Sequence, residues 1–242
     1  MIVPHRARRA VVMVAASALL AACAVLSAGE DPPALYTLTP KSTFDAALRP
    51  VSWQLVVEAP TAAAYLNTSR IALAQTPTSA DYYAKAAWTD RAPLMVQTLL
   101  VESLENSRRI VGVGRDALSV RPTYVLQSEL REFQAEYFHG KPPVARVRIV
   151  ARLVRQSDRQ IVAGRGFERC ARASADGLPE VVQAFDEALG GVLKSLVTWT
   201  LSVPPPQPLP DGVPFPAARG LQRGDDTVGC PGPGAQPVRR AQ

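Results

Sequence analysis

Reactive side chains are scarce in this 242-residue chain. It holds two histidines, His5 and His139, and three cysteines, Cys23, Cys170 and Cys230. No His-x-x-x-His or Cys-x-x-Cys spacing occurs and no Glu-x-x-His spacing is read, so a zinc site is not expected. A Ser-His-Asp triad would need His139 as its base, and no nucleophile-elbow motif accompanies it. Gly112-Val113-Gly114 lacks the third glycine of a phosphate-binding loop and reads as a strand end. Glu129 and Glu132 read as solvated charges on a strand face, and Cys170 as a structural cysteine. The expectation is a non-enzyme with no catalytic residue, no metal and no cofactor. Dense Lys/Arg runs are absent, which argues against nucleic acid as a partner.

Long apolar runs are also missing, with one exception. Ala10 to Ala22 is apolar apart from Ser17, follows Arg6, Arg8 and Arg9, and ends in Leu20-Ala21-Ala22-Cys23. A basic stretch, a short apolar stretch and small residues form a secretory signal too short to span a bilayer stably. A cysteine at the cleavage point makes this a lipobox, with cleavage between Ala22 and Cys23 and lipidation of Cys23. Two or more acyl chains anchor stably where one holds marginally. Ala24 rather than Asp at the second mature position favours the periplasmic face of the outer membrane over the inner membrane. Without Arg6, Arg8 and Arg9 the formal charge of +6 falls to +3, which is only mildly basic.

Residues 1–22 are thus read as signal peptide, 23–33 as a tether, 34–200 as one α/β domain and 201–242 as a disordered proline-rich tail. The tail from Val203 contains ten of the 22 prolines and no apolar periodicity. Because Cys230 falls in it, two unpaired thiols at Cys170 and Cys230 are expected in preference to a disulfide.

Within the domain, Trp53 to Glu58, Arg70 to Ala74 and Ile110 to Val113 read as strands. Pro93 after Thr89-Asp90 opens a helix from about Ala92 to Asn106. Alternation from Tyr124 to Tyr137 slips in phase after Leu130, which predicts a bulge. Val147 to Leu153 alternate with arginines, and Ile161 to Phe167 returns as the hairpin partner. Apolar residues from Leu178 to Val197 follow a 3.6 repeat, with Asp176 or Ser174 as cap and Pro179 in the first turn. Gly190-Gly191 in its middle predicts close approach to the sheet. Together these imply a central mixed or largely antiparallel sheet flanked by helices.

Two features suit binding. Arg146, Arg148 and Arg152 project from one sheet face, toward lipid headgroups or an acidic partner, or into pairing with Glu129 or Glu136 across strands. Tyr82, Tyr83 and Trp88 form an aromatic cluster read chiefly as core.

Several segments together resemble the ABC-type transport auxiliary lipoproteins. They are Leu35-Tyr36-Thr37-Leu38, Tyr65 to Ile71, Tyr82 to Asp90 with Pro93, Leu126 to Phe133, Ala184-Phe185 and Trp199. The resemblance implies a compact α/β domain acting beside an ABC permease, its ATPase and an Mce-domain protein, in Pqi-like or Mla-like systems that move phospholipids or other hydrophobic molecules. It supplies no catalytic residues and leaves homo-oligomer formation and direct contact with phospholipid open. The proline-rich tail lies outside it.

Overall fold

The computed structural model describes residues 32–116, 122–204, 226–228 and 230. The expected signal peptide, Cys23 and most of the proline-rich tail lie outside the described residues.

The strands are β1 (Ala34–Tyr36), β2 (Val51–Val57), β3 (Thr61–Ala62), β4 (Arg70–Ala74), β5 (Asp81–Trp88), β6 (Ile110–Gly114), β7 (Tyr124–Glu136), β8 (Val144–Arg155), β9 (Ile161–Arg172) and β10 (Asp226–Val228). Two helices, α1 (Ala92–Ser107) and α2 (Leu178–Ser202), complete the described elements. All ten strands form one mixed sheet.

Its spine is the antiparallel run β7–β8–β9. The strict alternation of β8 gives it two unlike faces: Ala145, Val147, Ile149, Ala151 and Leu153 are buried, while Arg146, Arg148 and Arg152 point the other way. The far edge of β7 is shared by three short parallel strands. β2 pairs at Tyr124 to Leu126, β3 at Glu129 and Leu130, and β4 at Ala135 and Glu136. The expected bulge is present as a register shift between Leu130 and Glu132. It gives β7 the extra turn of phase that keeps both Leu130 and Phe133 in the core.

Both helices contact each other and lie on the buried face, α2 against β8 and β9 and α1 against β2 and β6. Trp88, Phe133 and Phe185 meet there with ring centroids 5.1 to 5.5 Å apart. Phe167 stacks edgewise on Trp199 at 5.6 Å. Chain between β1 and β2 crosses over the helices. The amide and hydroxyl of Thr39 donate to Asp186 on α2, and the amide of Lys41 donates to Ser103 Oγ on α1. This second covering meets Ser103 of α1, while Gln97 is buried toward the sheet, where its side-chain amide donates to the Val57 carbonyl at 2.8 Å.

Four expectations need correction. Neither Asp176 nor Ser174 caps α2: Gly177 is the N-cap residue and Asp176 pairs instead with Lys141. Of the glycine pair only Gly191 meets the sheet, where a Cβ would lie 3.0 Å from Arg169 Cγ; Gly190 has nothing within 4 Å. The tail is not wholly without ordered structure, because Asp226–Val228 pairs with β9. Finally, Cys170 and Cys230 form a disulfide. The expectation of free thiols treated the tail as remote, yet β10 returns it to the edge of β9 beside Cys170.

Candidate functional site

The open face of the sheet carries the predicted arginine row. At one end the side chains of Glu136 and His139 are only 4% and 6% exposed, and Glu136 Oε2 lies 3.2 Å from His139 Nε2. Arg146 Nε reaches the other Glu136 oxygen at 2.8 Å, and its guanidinium also bonds Glu168 on β9. Arg148 stands 4.0 Å from the second oxygen of Glu168. Three strands therefore contribute to one chain of alternating charge. Register sets it, because Arg146 lies between Gln134 and Cys170, and Arg148 between Glu132 and Glu168.

Arg146 thus serves cross-strand pairing with Glu136, as one of the two readings anticipated, and with Glu168, which was not anticipated. Glu129 instead pairs with Arg131 on its own strand. Glu136-Tyr137-Phe138-His139 is a Glu-x-x-His spacing that the motif reading above passed over. It was legible in the sequence, but Arg146 on the carboxylate makes it an ion-pair network and not a ligand pair.

Electrostatics at this end follow from burial. The Glu132 carboxyl is raised above its ordinary range by burial, reinforced by the negative charge of Glu136, against the opposing pull of Arg146 and Arg148. Burial likewise raises the Tyr65 phenol, helped by Glu132 and Glu136. Tyr65 closes this end of the face, with its hydroxyl 3.4 Å from Gln134 Oε1, and accepts the Tyr82 hydroxyl at its carbonyl, 3.1 Å away.

Arg152 sits apart from the network. It lines a cleft of about 210 Å³ with Glu58, Thr61, Gln127, Glu129 and Val150. A larger cleft of about 630 Å³ lies on the helix side, between Thr39 to Ser42, Arg169 and the Asp186 to Gly191 stretch of α2. Arg169 is fixed there by a 2.8 Å bond to Ser195 Oγ. Both clefts mix cationic and anionic side chains.

The aromatic cluster divides. Trp88 is core. Tyr82 carries the Arg70 guanidinium 3.8 Å from its ring centroid. Tyr83 shares a 2.9 Å hydroxyl bond with Tyr137, and burial with that bond raises its phenol far above the usual range. Beside them Lys141 donates to Asp176 at 2.7 Å, which raises the lysine and lowers the carboxylate.

The same fold occurs in known proteins. A crystal structure of a Xanthomonas campestris protein assigned to DUF330 aligns with TM-score 0.66 at 34% identity, over 69% of this chain and 94% of that one. A crystal structure of an uncharacterized protein aligns with TM-score 0.56 at 16% identity, over 70% and 99%, which bears on the fold alone. An uncharacterized protein of Bradyrhizobium diazoefficiens is 28% identical over 169 residues, 69% of this chain and 44% of that protein. The chain thus spans less than half the length of the curated relative it matches. Residues 36–197, from β1 into the last turns of α2, match the family described as the ABC-type transport auxiliary lipoprotein component. The chain belongs to that family.

Proposed function

We propose that this protein is a non-catalytic accessory subunit of an Mce-type ABC transport system, lipid-anchored through Cys23 at the periplasmic face of the outer membrane. The carrying observation is the family match, which takes in nearly the whole two-layer domain. The lipobox at Leu20 to Cys23 supports the anchor. No helix among the described residues is long and apolar enough to cross a membrane.

The subunit works by contact with protein partners: an Mce-domain protein and, through it, the permease and ATPase. The charged linings of both clefts favour this reading over a shuttle that encloses an acyl chain. Hydrocarbon placed among them would strip charges of water without compensation. The open face with Arg148 and Arg152 is the contact surface this reading assigns.

The test is affinity purification of the tagged chain from its own envelope after mild cross-linking. An Mce-domain protein should be recovered with it; its persistent absence sinks the reading. Arg148→Glu combined with Arg152→Glu should lower recovery several-fold while the protein stays folded. Separately, Cys23→Ser should move the protein out of the outer-membrane fraction, and a variant that stays there refutes the anchor.

A further inference from the structure

Beyond the family match, the chain comes back to its domain at the edge of β9. Asp226, Thr227 and Val228 lie parallel to Phe167, Glu168 and Arg169. Cys230 is bonded to Cys170, 60 residues earlier. Such an edge exposes unpaired main-chain donors and acceptors that accept an added strand. The strand pairing with β10 covers Phe167–Arg169, and Ile161 at the start of β9 is 44% exposed.

Three paired residues are few. The backbone freedom lost in ordering them matches or exceeds what their net hydrogen bonding returns. The disulfide changes that balance by keeping the strand beside its site. Both cysteine residues are half-buried, not sealed in the core, as attack by a small thiol requires.

We propose that the edge of β9 is a strand-docking site, that its occupant is this chain's own segment from Asp226 to Cys230, and that the Cys170–Cys230 disulfide is its latch. Opening needs a dithiol reductant. One thiolate of the reductant attacks one sulfur of the bond, forming a mixed disulfide and releasing the other cysteine, which takes up a proton. The second thiol of the reductant then displaces the remaining cysteine and leaves as a disulfide. Two electrons and two protons pass to the chain, the strand departs and the edge lies open. The proposal does not depend on the transport role.

The experiment uses the full chain carrying Cys23→Ser, so that sulfur chemistry is confined to Cys170 and Cys230. Amide hydrogen exchange along β9 is compared in the air-oxidised form, the dithiothreitol-reduced form, and with Cys170→Ser or Cys230→Ser added. Expected is faster exchange over Gly166 to Cys170, about tenfold or more, in the reduced form and both serine variants, with circular dichroism unchanged. Equal exchange in all forms overturns the latch, because the strand then holds or is absent regardless of the bond. A disulfide-linked dimer on non-reducing gels overturns the choice of occupant in favour of a second copy's tail. Alkylation of both cysteines in the air-oxidised chain overturns the disulfide itself. Loss of the circular dichroism signal on reduction, and in both serine variants, makes the bond a staple of the whole fold and overturns its role as a latch.

Discussion

Arg146 is the residue on which the open face turns. It lies between two carboxylates from neighbouring strands, with its side chain only 15% exposed. Removing one partner from a buried charge cluster costs more than the cluster contributes, because the remaining charges stay desolvated. Arg146→Ala is expected to destabilise by about 3 kcal/mol, at the low end for such sites given its partial exposure. Urea denaturation checks this; a loss below about 1 kcal/mol, ordinary for exposed pairs, contradicts it. Glu132 carries the opposite sign. Its carboxyl is raised in the fold, chiefly by burial, so the folded state binds its proton more tightly than the unfolded chain. The resulting penalty is absent below the unfolded value, grows as pH rises from there through the folded value, and is constant above it. Glu132→Gln should therefore gain stability relative to the parent at pH 7 and show less gain at pH 4. An equal difference at both pH values argues against the burial effect.

At the scale of elements, α2 offers a matched pair. Gly190 and Gly191 sit side by side in a 25-residue helix, and each lowers helix propensity by about 1 kcal/mol against alanine. Their surroundings differ. A Cβ at Gly190 meets nothing within 4 Å, whereas at Gly191 it presses on Arg169 Cγ and Cδ at 3.0 and 3.3 Å. Gly190→Ala is expected to stabilise by about 0.5 to 1 kcal/mol. Gly191→Ala should gain nothing or lose stability, because it displaces the Arg169 side chain from Ser195. Thermal melts of the two variants decide, and identical shifts would show that the contact with β9 is immaterial. The β7 bulge works at this scale too, since one extra residue puts Glu132, Gln134 and Glu136 on the same face as Arg146 and Arg148.

For the whole molecule, the main apolar core lies between the sheet and the two helices, and its described members fall within Tyr36 to Val203. Core and family match therefore nearly coincide, while β10 and the disulfide are additions at one edge. A chain ending at Pro204 should still unfold cooperatively in urea with far-ultraviolet circular dichroism like that of the full chain. A broad, non-cooperative transition would show instead that the tail completes the core. Under the proposed function the charged open face, which neither helix covers among the described residues, is the surface where partner contact would least disturb the core.

Alternation of apolar and charged residues set the long strands and their two faces, because period two is a local property of the backbone. The 3.6 repeat set α2 for the same reason, and the phase slip after Leu130 marked the bulge. Leu20 to Cys23 carries the proposed lipobox, because a targeting signal of this kind is a local stretch of sequence. Tertiary structure decided what depends on distant residues meeting. The sharing of β7 by β2, β3 and β4 follows from core packing, and short strands such as β3 carry too few residues for a periodic signal. The partners of Arg146 depend on the register of three strands, which no single segment encodes. The pairing of Cys170 with Cys230 depends on the tail returning to β9 across 60 residues, and proline-rich composition conceals such a return.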